Sequence, residues 1–520
     1  MWTLKILTLL LLGACVWAGA VPGQPPMDAD EEMHPDLQLG NSRSRARRIK
    51  GENTQDYWLS ASKQHILEKL DYVRSERKAK NIILFLGDGM GLATLAAARN
   101  YIGGEEKKMS FEEFPYTGLS KTYCVDKIVP DSASTSTSYL CGVKANYGTI
   151  GVNAHVRRGD CLAMRNTSNH VFSVAKWAMD AGKGAGFVTT TRVTHASPSG
   201  NYAHTADREW ENNAVLEEAC GDQAQHLDDI AVQLIHGEVG SKLKVMLGGG
   251  RRNFYDTELY KNGRRTDGRD LVAEFESLSK HNKYVKNRKN LLKVNATETK
   301  RLLGLFSKSH LHYHLEQLAD PENSEPTLEE MTEKAIEMLE QEKKGYFLFV
   351  EGGKIDISHH DTMARIALDE TAEFSKAIKR ARKLTSKKDT LIVVTSDHSH
   401  TFSVGGYQPR GSDIFGEAES KGTDGKSYLA LSYANGKSFD SFYDTEAHER
   451  IDPLSQLSDD AAQLFPATAP LESETHGGED VGVFASGPWA HLFTGVYEQN
   501  TIPHMLAFAA CVGEGQTACD

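Results

Sequence analysis

The chain has 520 residues, 39% hydrophobic and 25% charged, values that exclude a disordered chain, a collagen-like repeat and a polytopic membrane protein. Lysine and arginine number 59 against 71 aspartates and glutamates, a net charge of −12 that excludes a general nucleic-acid binder, so no nucleic-acid partner is required. The acidic excess and 20 histidines leave room for metal sites. At the N-terminus, Lys5 precedes an apolar run from Ile6 to Val16, and Ala18-Gly19-Ala20 gives a small-residue cleavage signature. This pattern predicts a secretory signal peptide over residues 1–20, too short to span a bilayer. Its removal takes away one lysine and no acid, which moves the net charge to −13, and leaves six cysteines: Cys124, Cys141, Cys161, Cys220, Cys511 and Cys519. An even count in an oxidising compartment permits disulfides, but counting does not give their connectivity. Asn166-Thr-Ser and Asn295-Ala-Thr are glycosylation sequons that fit secretion.

Residues 21–50 read as a leader, with prolines, an acidic cluster from Asp28 to Glu32 and a basic run from Arg43 to Lys50. The run contains the dibasic sequence Arg45-Ala-Arg-Arg48, which fits a processing site or a solvated tail equally well. From Asp56 onward Leu59, Ile66, Leu70 and Val73 recur at helical spacing, which predicts a short amphipathic helix serving as an arm onto a partner or as part of the shell. Apolar runs then predict strands at Ile82–Leu86, Gly186–Thr190, Lys244–Leu247, Tyr346–Val350, Leu391–Thr395 and Val481–Ala485, with helical patterns between most of them, as at Leu328–Glu342 and Thr362–Leu384. This alternation predicts an α/β fold: a central, mostly parallel sheet with helices on both faces. Residues 406–475 are rich in Gly, Ser, Asp and Pro and read as a small inserted lobe that divides the α/β domain into 51–405 and 476–520.

Polar residues collect where three of the strands end: Gly87-Asp88-Gly89 after the first, Glu351 through Asp356 to His359-His360 after the fourth, and Ser396-Asp397-His398-Ser399-His400 after the fifth. The carboxyl ends of parallel strands form the ligand crevice of such sheets. Three aspartates, one glutamate and at least two histidines at one edge call for cations, because uncompensated carboxylates so close together repel. Asp356 and His360 are four residues apart, face the same way on a helical turn and suit one zinc; Asp397 and His398 suit a second; Glu351 suits magnesium. The nucleophile candidate is Ser132, which follows Pro130-Asp131 at a predicted helix start, where backbone N–H groups favour an anion.

The stretches LFLGDGMG, VPDSASTSTSYLCG, VTTTRVTHASPSGNYAHTADR, LFVEGGKID…HH, VTSDHSH and SETHGGED, running in order from about residue 55 to 519, resemble the animal-type alkaline phosphatases. That resemblance implies a phosphate monoesterase of broad leaving-group specificity, acting through a phosphoserine on Ser132 with two zinc ions and one magnesium ion per subunit. It implies Asp356, His360 and His476 for the first zinc, Asp88, Ser132, Asp397 and His398 for the second, and Asp88, Ser197 and Glu351 for magnesium. It further implies Arg208 as the clamp on phosphate and His195 beside the magnesium. By the same resemblance Cys161 pairs with Cys220 and Cys511 with Cys519, which leaves Cys124 and Cys141 as free thiols. The inserted lobe is expected to be crown-like, and the molecule a homodimer.

Two departures stand out. Ile357 follows Asp356 where relatives carry a polar residue, and Ser307 stands where a calcium-binding glutamate is usual although Glu325 fits, so calcium is doubtful. The chain ends at Ala-Cys-Asp520 with no apolar tail, so the expected location is extracellular, with the outer face of the membrane as the alternative if a glycolipid-anchor signal is missing from the sequence. Two rival readings are a surface-binding protein that reuses the fold without turnover and a phosphodiesterase or sulfatase of the wider superfamily.

Overall fold

The six apolar runs form strands at the heart of a ten-stranded sheet. A computed structural model describes residues 49–520, so the signal peptide over 1–20 and all but the last two residues of the leader lie outside the described residues. The sheet strands are β1 Asn81–Gly87, β2 Tyr116–Lys121, β3 Gly184–Arg192, β4 Val245–Gly249, β5 Asn282–Val285, β6 Arg301–Leu305, β7 Tyr346–Gly352, β8 Thr390–Thr395, β9 Val481–Ser486 and β10 Gly495–Glu498. Their order across the sheet is β10-β2-β9-β8-β1-β7-β3-β4-β6-β5. Every neighbouring pair is parallel except those of β9, which runs antiparallel to β8 and β2.

Strand β1 shows why the runs are unbroken. Its side chains alternate between the two faces, and both faces are covered. Ile82, Leu84 and Leu86 join one hydrophobic cluster, while Ile83 and Phe85 join the other. Burial of each such side chain contributes about 1.5–3 kcal/mol, so the sheet is held from both sides. The sequence reading did not include β2, β5, β6 and β10. Strands β5 and β10 are the two edges of the sheet, β2 lies next to β10 and exposes Thr117 and Lys121, and β6, Arg-Leu-Leu-Gly-Leu, has its apolar run broken by Gly304.

The helix at Leu328–Leu339 stops short of the predicted end, and the long helix at Ala364–Leu384 starts two residues late. Thr362 explains the late start: its φ is 55°, in the left-handed region that β-branched residues rarely enter, so it separates the helix Lys354–His360 from the long helix. Residues 406–475 form short pieces. Leu431–Tyr433 pairs with Phe402–Val404, and Tyr443–Asp444 pairs with Glu449–Arg450. The segment then returns so that His476-Gly477 pairs with Ser399-His400. The N-terminal helix at Gln55–Leu70 buries none of its residues, and Trp58 and Leu70 are 54% and 74% exposed. Disulfides join Cys161 to Cys220 and Cys511 to Cys519, while Cys124 and Cys141 are free and buried.

Candidate active site

The carboxyl ends of β1, β7 and β8 lie side by side, because β1 pairs with both of the others in parallel register. Asp88, Glu351 and Asp397 leave these three ends and are fully buried. The tight turn after β1 depends on glycine at position 89. Its φ is +69°, and a Cβ there would lie 2.4 Å from His400 Nε2 and 3.1 Å from Asp356 Cα.

Asp88 divides its two oxygens. Ser132 Oγ donates to Oδ1 at 3.4 Å, and Ser197 Oγ donates to Oδ2 at 3.3 Å. Burial, followed by Asp397, Asp356 and Glu351, pushes the Asp88 carboxyl well above the usual carboxylate range. Glu351 is pushed up to about 7 by burial, although the Thr189 and Ser197 hydroxyls counter this. Its Oε2 accepts from Thr189 and Thr191, while Oε1 is buried with no partner. An unpaired buried carboxylate oxygen beside a second carboxylate is the arrangement a hard cation satisfies. Asp88, His195 and Glu351 lie within ligand distance of one another, with Ser197 against Asp88.

Ser132 begins the helix Ser132–Cys141, every residue of which is buried. Asp131 caps it, accepting from Ser134 N at 3.2 Å. Ser132 Oγ also lies 3.2 Å from His398 Nε2, and that nitrogen is 3.2 Å from Asp397 Oδ2. Asp88, Asp397 and His398 therefore surround the nucleophile candidate. Burial holds the His398 imidazole neutral, the form that offers a lone pair.

The third group is the most informative. His360 Nδ1 lies 2.5 Å from the Glu474 carbonyl and His476 Nδ1 2.7 Å from the Pro130 carbonyl. A carbonyl oxygen only accepts, so both Nδ1 atoms carry the proton and both Nε2 atoms are bare in the neutral rings. These bare nitrogens face each other at 3.1 Å, and each lies 3.4 Å from Asp356 Oδ1. Three electron-pair donors converging with no proton between them fit a soft divalent cation.

Arg208 reaches the same centre from the loop after β3. Its Nη1 donates to Asp131 Oδ2 at 3.0 Å, and its Nη2 to His195 Nε2 at 3.2 Å. Burial disfavours the guanidinium charge, but Asp131 and Glu209 outweigh it. The sequence-predicted residues Asp88, Ser132, His195, Ser197, Arg208, Glu351, Asp356, His360, Asp397, His398 and His476 thus converge on one crevice. Residue-level reading without the resemblance did not single out His195, Ser197, Arg208 or His476.

Two residues, His400 and Glu474, lie in the quoted stretches but were given no role. His400 bonds Asp356 Oδ1 through Nε2 at 2.8 Å and Glu474 Oε2 through Nδ1 at 2.5 Å. With both nitrogens taken by carboxylates, it orients Asp356 rather than offering a free lone pair. Period-two spacing from His398 and His476 would have pointed to His400 and Glu474.

Elsewhere, Ile357 packs with Tyr313, Met363 and Ile366. Glu325 accepts from the His312 backbone at 2.8 Å and faces its Nδ1 at 2.9 Å, and it belongs to none of the His, Cys, Asp and Glu groups with metal-ligand spacing among the described residues. Asn166 and Asn295 are exposed.

A doubly covered α/β sheet with a capped serine and clustered carboxylates and imidazoles at its carboxyl edge defines a hydrolase class, and the comparisons specify it. The family model described as alkaline phosphatase matches residues 79–512. A membrane-bound alkaline phosphatase of Bombyx mori is 44% identical over 512 residues, covering 94% of this chain and 92% of that protein. The tissue-nonspecific alkaline phosphatase of Homo sapiens is 43% identical over 486 residues, covering 89% and 90%. Among solved structures, Thermus thermophilus alkaline phosphatase matches with a TM-score of 0.62 at 22% identity, covering 85% of this chain and 93% of that one, which shows the shared fold. The chain belongs to the alkaline phosphatase family and is a phosphoric monoester hydrolase.

Proposed function

We propose that the protein hydrolyses phosphate monoesters through a phosphoserine on Ser132, with two zinc ions and one magnesium ion bound per subunit. The observation that carries this reading is the pair of bare Nε2 atoms of His360 and His476 turned toward each other beside Asp356. Asp356, His360 and His476 would hold the first zinc; Asp88, Asp397, His398 and Ser132 the second; Asp88, Ser197 and Glu351 the magnesium. When bound, these ions supply Lewis acidity, which lowers the pKa of coordinated hydroxyls and neutralises charge on transferring oxygens.

The chain's own groups do the rest. Ser132 Oγ, lying at a helix N-terminus and hydrogen-bonded to Asp88, is placed to attack phosphorus. Burial keeps the His398 pKa well below the usual imidazole range, which makes the ring a weak base and leaves its lone pair available to a metal ion. Arg208, oriented by Asp131 and His195, presents its fork to two phosphoryl oxygens. Because these contacts address the phosphoryl group, many leaving groups are accepted. Neutral imidazole ligands and an ionised Ser132 both favour alkaline pH.

The sequons and the predicted signal peptide favour an extracellular glycoprotein, either secreted or held by a glycolipid on the outer membrane face. No helix among the described residues is long and apolar enough to cross a membrane. The exposed apolar side chains of the helix Gln55–Leu70 favour a homodimer. The test is turnover of a chromogenic phosphate monoester, a diester and a sulfate ester, before and after chelation. Monoester hydrolysis that is abolished by chelator and restored by zinc plus magnesium is expected; full activity in metal-free protein, or a preference for the diester or sulfate, would overturn the reading.

A further inference from the structure

The long helix Ala364–Leu384 ends in a stretch unlike the rest of this acidic chain. Six of the ten residues from Lys379 to Lys388 are lysine or arginine, and none is acidic. The helix and the segment around Met109 form the walls of a groove of about 440 Å³. Six cations line it: Lys108, Lys376, Lys379, Arg382, Lys383 and Lys387. Glu113 is the one carboxylate among its lining residues. Lys376 is paired with Glu373, whereas Lys108, Lys379, Lys383 and Lys387 form no ion pair or side-chain hydrogen bond among the described residues.

The spacing is that of a line. Positions 376, 379 and 383 repeat at three and four residues, so they share one face of the helix, and Lys387 lies just beyond its end. Arg382 shows that the groove is more than a solvated surface. Among the described residues its guanidinium donates to neutral oxygens alone, Thr390 O at 3.4 Å and Thr385 Oγ1 at 3.1 Å, and its buried Nε has no partner. Burial pulls its pKa down to about 10, with Tyr346 and Asp389 countering only part of the fall, so an anion in the groove would stabilise its charge further.

We propose that this groove binds a linear sulfated polysaccharide of the heparin type. A row of cations in a concave channel, on a protein whose overall charge is negative, matches a narrow chain of sulfates. A flat anionic membrane would meet only the rim of such a channel. The site is separate from catalysis: the groove lies against Ser486, which ends β9 beside the start of β8, whereas Asp397 and His398 follow the other end of β8. Six strand residues place the two about 20 Å apart. Relevance in the organism rests on the extracellular reading, but binding itself does not, so the two stand or fall separately.

The test uses the full chain and heparin as probe, with titration over a range of salt, against Lys379→Gln/Lys383→Gln/Lys387→Gln. Wild type is expected to bind heparin and the triple variant roughly tenfold or more weakly, with the slope of log Kd on log salt reduced by about one for each lysine lost. Monoester turnover should be unchanged, which verifies folding, and the corresponding triple arginine variant should keep heparin binding. Undetectable heparin binding at low salt, equal binding by the glutamine variant, or equal binding of wild type to unsulfated hyaluronan or to phosphatidylserine vesicles would overturn the proposal.

Discussion

Glu370→Gln should make the protein more stable at the alkaline pH where its chemistry is favoured, and hardly change it in acid. Glu370 lies in the long helix, is 6% exposed and accepts from His314 N at 2.7 Å. Burial pushes its carboxyl from 4.5 up to about 7, with the His314 N–H and Lys354 countering only part of the rise. Below about 4.5 the group is protonated in both folded and unfolded chains and its titration contributes nothing. Between 4.5 and 7 folding takes up a proton, so stability falls as pH rises; above 7 the folded state carries the full cost of a buried charge. A rise of this size corresponds to about 3 kcal/mol at about 1.4 kcal/mol per unit. Glutamine keeps an oxygen for His314 N and cannot ionise. Urea unfolding of both proteins at one pH near 4.5 and one well above 7 gives the comparison. A gain of about 3 kcal/mol appearing only at the higher pH is expected; equal differences at both values, or a less stable variant in alkali, would refute the argument.

Ser132→Ala should lower turnover by roughly 10³ or more and abolish acid-stable phosphate labelling while leaving metal content near wild type, as measured by elemental analysis. Arg208→Ala should lower kcat/KM by about 10- to 100-fold and weaken inhibition by phosphate, since one bidentate charged contact is worth roughly 1.5–3 kcal/mol. Replacing Cys161 and Cys220 together with serine opens a link across 59 positions and should cost about 4 kcal/mol, read as a lowered unfolding midpoint. Cys124 and Cys141, each 3% exposed, should resist maleimide in the native protein and both react in denaturant, a count checked by mass spectrometry.

The legible parts of the fold were those where one force dominates. Strands β1, β7 and β8 are covered on both faces, so their central runs Ile82–Leu86, Tyr346–Val350 and Leu391–Val394 are apolar without interruption. Strand β2, Tyr-Thr-Gly-Leu-Ser-Lys, is governed by its neighbours as much as by its own residues, and nothing local marks β9 as antiparallel. In the site, Asp88, Glu351 and Asp397 were readable because each lies within two residues of the end of a predicted strand. Arg208 and His476 were not, since only the fold brings them to Ser132, and they entered through family resemblance. Asp131 was readable as a cap, but not as the anchor of Arg208, because that partner lies 77 positions away.

The proposed catalytic centre is gathered from residues as far apart as Asp88 and His476, and this has a consequence for biosynthesis. At a ribosomal rate of about 5–20 residues per second, His476 emerges roughly 20 seconds or more after Asp88. For most of that interval β1, a central strand of the finished sheet, lacks β8, and β8 once made still lacks β9, which follows His476 in the chain. Unpaired apolar strands of this kind are the species that chaperones shield. No fragment that stops before His476 contains all three donors around Asp356, so nascent chains and truncated products should be silent, and turnover in a cell extract counts only molecules synthesised nearly to their end.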